Sequence, residues 1–258
     1  MNPVVTIVAL AVLAALTLSI VSFLRLEHPW LQPWALMRAV VQLGLLSLIL
    51  NGVISDRRWV AVFLAVMVMA ATWVVFRRLR VAPRFLPAIA GTVVVASAVP
   101  LAVVFATGAV DFSPRYLLAL GGIVVGNTMT VSTLMGRSLG SLFLAERDEM
   151  EAWLSLGATP RRSALRAVRT AASTALIPST DQTRTTGIVT LPGAFVGAVF
   201  AGASPLEAAQ FQLVVLAAIL AAGALTVAVF SSLFGAPEVL PLDERPLGGR
   251  RSRSRIGP

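Results

Sequence analysis

Long apolar runs, separated by short polar connections that carry arginine, dominate this chain. A membrane-spanning helix needs about 20 consecutive, mostly apolar residues. Seven stretches meet that need: 4–24, 36–54, 59–76, 86–107, 116–135, 177–201 and 211–234. The pattern predicts an all-α, polytopic transmembrane helix bundle of about seven spans. The sixth stretch is interrupted by polar residues and by Pro178, Pro192 and Gly193, and Pro192-Gly193 is expected to break or kink it. The N-terminal run has no basic residues ahead of it and is long for a signal-peptide core, so it reads as a retained first span. No internal repeat is visible, which gives an inverted-repeat carrier no support.

The arginines then set the expected orientation. They cluster as Arg77, Arg78, Arg80 and Arg84, as Arg137, Arg147, Arg161, Arg162, Arg166 and Arg169, and as Arg245, Arg250, Arg251, Arg253 and Arg255. With seven spans these clusters share one side, opposite Arg57, Arg58 and Arg115. The positive-inside rule then puts the N-terminus outside and the C-terminus in the cytoplasm. Residues 1–235 form the predicted membrane domain, including a cytoplasmic loop over 136–176. Residues 236–258, rich in Pro, Gly, Ser and Arg, read as a disordered basic tail.

Composition agrees with lipid as the solvent. The chain is 57% hydrophobic and 13% charged, against about 25% charged for an average soluble domain. The net charge of +9 comes with no lysine. Its placement in short loops follows the membrane rule and excludes a nucleic-acid surface. There is no cysteine, and the single histidine, His28, lies in a loop beside Pro29. A multi-His metal cluster is therefore excluded within one chain, and a catalytic His is nearly so. No Gly-x-x-x-x-Gly-Lys phosphate loop occurs, so the chain is not itself an ATPase, and no catalytic residue is assigned.

The 136–176 loop is long for a connection and reads as helix, tight turn, helix. Leu144, Met150, Trp153, Leu154 and Leu156 lie on or near one side of the first helix, and Leu165 and Val168 continue the pattern in the second. Gly157 is placed as a helix C-cap. Thr159 and Pro160 follow as N-cap and first helical residue. Glu146, Asp148, Glu149 and Glu151 precede the turn and arginines follow it, an order that helix dipoles explain only in part. Two readings stand: docking into a groove of a soluble partner, or lying flat on the headgroups.

Polar residues inside spans are expensive and often functional. Gln42, Asn127, Met129, Asp181, Gln182 and Arg184 are the candidates for a translocation path. Asn127 can equally serve an interhelical hydrogen bond. Asp181 and Arg184, at i and i+3, can form a structural ion pair. Gly122 and Gly126, at i and i+4, favour close helix packing. Oxygen donors are present in Gln42, Asn127 and Asp181, and Met129 adds a thioether. No pair has a diagnostic metal spacing, so no metal ligand is named.

The run Glu151-Ala152-Trp153-Leu154-Ser155-Leu156-Gly157-Ala158-Thr159-Pro160 resembles the EAA loop of bacterial ABC permeases. Glu151, Ala152 and Gly157 match at the family spacing. Trp153 replaces the usual third alanine, and the downstream Ile-Leu-Pro element has its nearest match in Ile177-Pro178. Three further segments are similar to the FetB-type (YbbM) permeases: 38–43, 122–129 and 187–195, the last followed by Ser204-Pro205-Leu206-Glu207-Ala208 and Gln210-Phe211-Gln212. The resemblance covers nearly the whole chain. It implies a permease that pairs with a cytoplasmic ABC ATPase through Glu151–Pro160 and exports iron or contributes to metal homeostasis. A plant branch is associated with aluminium tolerance and UDP-glucose. It further implies a homodimer in the bacterial inner membrane, surrounded by lipid, with ATP and Mg bound by the partner and no cofactor on this chain. The alternative is a stand-alone carrier or channel with no ATPase.

Overall fold

The computed structural model describes residues 2–26, 28–53 and 57–236. The tail over 237–258, with its predicted disorder, lies outside the described residues. Ten α-helices and one short 3-10 turn account for the regular structure among them, with no strand. The chain divides into two compact units, Met1–Val60 and Ala61–Pro258.

The first unit is a pair of packed helices, α1 (Pro3–Phe23) and α2 (Leu31–Val53). Asn2 caps α1 by accepting the Val4 N–H at 3.1 Å, and Pro3 fits the first turn, where no N–H is needed. Arg25 (φ 51°) and His28 (φ 59°) turn the chain in the left-handed region between the helices. Val4, Val8, Val12 and Leu16 are all more than half exposed. An α1 that is apolar all round and hardly buried has the surface of a lipid-facing helix.

The second unit holds most of α3 (Arg57–Leu79), then α4 (Leu86–Ala106), α5 (Pro114–Ala145), α6 (Arg147–Ser155), α7 (Pro160–Ser163), α8 (Leu165–Thr185), α9 (Gly193–Phe200) and α10 (Pro205–Phe234). Helix α10 is central and packs against α4, α5, α8 and α9. Its start is fixed by a capping box. Ser204 Oγ accepts the Glu207 N–H at 3.3 Å, and Glu207 Oε2 accepts the Ser204 N–H at 3.0 Å. At the start of α5 the Ser113 hydroxyl accepts the Tyr116 N–H and Pro114 takes the first helical position, without a reciprocal acid.

The protein is an all-α polytopic membrane bundle. Among the described residues five helices are long and apolar enough to cross a membrane: α1, α3, α4, α5 and α10. The second predicted span falls on α2. Two expectations change. The fifth predicted span, 116–135, is only the first part of a 32-residue helix. The 136–176 segment after it holds the end of α5, then α6, α7 and the first half of α8, so the helix, turn and helix expected there stand on longer helices. It stays helical because Met135, Leu139 and Phe143 recur on one side of α5 and bury against Ala164, Ala167, Ala171 and Ala175. Four small residues on the facing side let the helix pair close up.

The sixth predicted span, 177–201, is not one helix. Helix α8 ends at Thr185, whose carbonyl accepts the Val189 N–H at 2.9 Å and the Thr190 N–H at 3.2 Å. Gly187 takes φ +83°, which suits glycine, and Pro192 precedes the short α9. The break expected at Pro192 and Gly193 therefore begins earlier, at Thr186, and spans a compact turn.

Candidate translocation path and coupling tip

The tip of the α5–α8 hairpin is built on Met150. This residue is 1% exposed and belongs to the same core cluster as Leu139, Phe143 and Ala164. Burying it fixes one side of the short α6 and turns the other outward. Trp153 is then 47% exposed and Leu156 81% exposed. Helix α6 stops where Gly157 takes φ +87°, donating its N–H to Leu154 while Ala158 donates to Trp153. Thr159 Oγ1 accepts the Arg162 N–H at 3.3 Å, with Pro160 as the first residue of α7. Glu151, Ala152, Leu156, Gly157, Thr159 and Pro160 are exposed at this tip and Ala158 is half-buried.

The order of acids before the turn and arginines after it has a tertiary cause. Arg166, at the start of α8, reaches back to Glu149 at 2.9 Å and to Glu146 at 3.9 Å. Arg147 pairs with Glu151 one turn on, at 2.7 Å. These pairs are solvent-exposed and each contributes about 0–1 kcal/mol. Met150 is the stronger anchor.

Farther along the same hairpin α5, α8 and α10 meet at Asn127. Its Nδ2 donates to the Ile219 carbonyl of α10 at 3.1 Å, and its Oδ1 accepts the Ser179 hydroxyl of α8 at 2.9 Å. Beside it opens a cavity of about 280 Å³ lined by Gly126, Asn127, Thr130, Pro178, Ser179 and Gln182 together with apolar side chains. Pro178 has no N–H to give the Thr174 carbonyl. The lining is mostly apolar, with Asn127, Thr130, Ser179 and Gln182 as its polar side chains, and carries no formal charge.

Of the six path candidates, Asn127 and Gln182 line this cavity and Met129, Asp181, Arg184 and Gln42 do not. Met129 packs against the cluster of Ala71, Val93 and Val125. Gln42 stands exposed on α2 in the first unit. Asp181 and Arg184 are exposed on α8 and, among the described residues, do not pair with each other. The ion pair allowed by their spacing is therefore not made.

The close packing expected of Gly122 and Gly126 falls elsewhere. A Cβ on Gly122 would meet Met67 at an ordinary 3.5 Å, and one on Gly126 would meet nothing within 4 Å. On α5 the tight positions are Gly121, where a Cβ would come within 2.7 Å of the Leu64 side chain, and Gly136, where it would come within 2.6 Å of Leu79. Gly126 instead opens the cavity wall, and Gly193 begins α9 after Pro192. The sequence singled out neither Ser179 nor Thr130, and it placed Met150 and Arg166 in their helices without revealing what each one holds. A Pro-Ser step inside a polar span marked Ser179, but its partner lies across the bundle. Among the described residues no group of three or more His, Asp or Glu side chains is placed to hold a metal ion.

A family model described as "Uncharacterised protein family (UPF0014)" matches residues 4–236. The chain belongs to the UPF0014 family. Among UPF0014 relatives, the rice "UPF0014 membrane protein STAR2" is 35% identical over 213 residues, covering 81% of this chain and 74% of the relative. The Escherichia coli "Probable iron export permease protein FetB" is 29% identical over 217 residues, covering 83% of each. Bacillus subtilis YjkA is 31% identical over 202 residues, 77% of this chain and 80% of the relative. No solved structure matches the chain.

Proposed function

We propose that this chain is the membrane-spanning permease subunit of an ATP-driven ABC transporter of the bacterial inner membrane, exporting iron or another metal ion. The observation that carries the reading is the hairpin tip. An apolar pair, Trp153 and Leu156, is held out on a short helix whose inner side is pinned by Met150. Exposed apolar groups on a rigid helix are the usual anchors for a groove on a soluble partner. The name of the E. coli relative supplies the cargo class.

On this reading two copies assemble with two copies of a separate ATPase. ATP and Mg bind there, and this chain carries out no chemistry. Closure of the ATPases pushes on Glu151–Pro160. Met150 passes the displacement to α5 and α8, and the Asn127–Ser179 contact beside the cavity lies on the line of transmission.

The test is co-purification of the detergent-solubilised chain with the ATPase encoded beside it. Leu156→Asp alters a side chain that touches little of its own fold, so the variant should fold and lose the partner. Gly157→Arg should lose it as well. Retained binding by both variants, or no binding by the wild type to any neighbouring ATPase, sinks the reading in favour of a carrier that works alone.

A further inference from the structure

Asn127, Ser179 and Ile219 are joined by hydrogen bonds and so share one level in the bundle. That level is about 20 Å from the start of α5 at Pro114 and about 21 Å from the start of α10 at Pro205, at 1.5 Å per residue. Two helices that start together place it well inside a hydrocarbon layer about 30 Å thick. Helix α8 crosses this level running away from the tip. Asp181 stands about 3 Å past it and Arg184 about 8 Å past it. The helix ends at Thr185, still about 10 Å short of the Pro114 end. Both charges lie at hydrocarbon depth.

Neither faces the packed side of its helix. Ser179 is buried against the bundle. Asp181 is about 200° around α8 from it and Arg184 about 140°. Both are exposed, as are Ile177 and Thr180 on the same face. Just beyond, residues 186–192 present irregular backbone, with Ile188 87% exposed. Charged groups at this depth face a bundle interior or a water-filled cavity. Irregular backbone there is tolerated only in protein or against water. The N–H groups of residues 186–190 bond within the turn, so the demand rests chiefly on the charges of Asp181 and Arg184.

We propose that the face of α8 bearing Ile177, Thr180, Asp181 and Arg184 lines a water-filled passage, and that Asp181 is the carboxylate on which a cationic cargo pauses. This rests on reading the chain as a permease. The negative end of the α8 dipole adds to the field of Asp181. Arg184, one turn farther on, weakens the hold so that the cation can leave, as conduction requires.

The absence of cysteine makes the test direct, since each single-cysteine variant carries one thiol. Asp181→Cys and Arg184→Cys are treated in membrane vesicles with a charged, membrane-impermeant maleimide. Leu213→Cys, at an exposed apolar position of α10, is the lipid-facing control. Labelling at both α8 positions at least tenfold faster than the control is expected, and labelling as slow as the control overturns the passage. Millimolar Mn²⁺ should then slow labelling of Arg184→Cys severalfold and leave the double variant with Asp181→Asn unaffected. Equal rates with and without Mn²⁺, or equal slowing in both backgrounds, overturn the role of Asp181. Each variant is first matched to wild type by size-exclusion profile. No ATPase takes part, so this result stands or falls apart from the co-purification test.

Discussion

Ser179 donates its hydroxyl to Asn127 Oδ1 at 2.9 Å, and the same amide donates to Ile219, so one side chain ties three helices together. Interhelical hydrogen bonds in membranes contribute about 0.6 kcal/mol each on average. Asn127→Leu should therefore destabilise the bundle by about 1–2 kcal/mol, and Ser179→Ala by less, because it leaves the amide half-satisfied. A double-mutant cycle read by denaturant unfolding in detergent should give a coupling near 0.6 kcal/mol. Additive losses would show that the contact carries no energy of its own.

Met150 is a buried side chain on a helix of only nine residues. Met150→Ala should cost about 2–4 kcal/mol locally by leaving a cavity, more than so short a helix can make up. Proteolysis should cut the variant between Arg147 and Arg162 and leave the membrane helices whole. A tip as resistant as wild type would show that the ion pairs of Arg166 suffice to hold it.

Two glycines of α5 differ in what a methyl group would meet. Gly126→Ala meets open space and should gain about 1 kcal/mol of helix propensity. Gly121→Ala meets the end of the half-buried Leu64 side chain, which must swing aside, so the displaced contact should offset most of that gain. Thermal melts should show Gly126→Ala the more stable of the two variants, and the reverse order would contradict the packing described for this helix.

The Thr128 hydroxyl is buried without a hydrogen-bond partner among the described residues. Thr128→Val keeps the shape and removes the orphaned group, so it should raise stability by about 1 kcal/mol. A loss of similar size, measured in the same melts, would mean that the hydroxyl is bonded in the membrane.

The helices of the membrane part were legible because lipid leaves a plain record. Runs such as 4–24 and 211–234 have one explanation. The hairpin tip was legible too, because Gly157, Thr159 and Pro160 are local signals that act over three or four residues. What was hidden depends on partners distant in the chain. Arg166 answers Glu149, Asn127 answers Ser179, and nothing in the spacing of either pair reveals the other member. The choice of glycine failed for the same reason. Gly121 and Gly122 are neighbours in sequence, and only the position of Leu64 on α3 decides which of them is tight. The break at Thr186 was misplaced because proline drew attention from the hydrogen bonds that close the turn ahead of it.

Helix α5 is 32 residues long, so it measures about 48 Å, against about 30 Å of hydrocarbon and 40–45 Å with both headgroup layers. With Pro114 at one hydrocarbon edge, the other end stands about 18 Å past the opposite edge, which is about 10 Å clear of the phosphates. The helix is a ruler. Standing upright from that edge, it would hold Trp153 and Leu156 beyond the headgroups, and its length would set how near the membrane any soluble machine gripping them must stand. Deleting two turns from its lower half, with the matching residues of α8, would draw the tip down among the headgroups, where Trp153 and Leu156 would meet lipid.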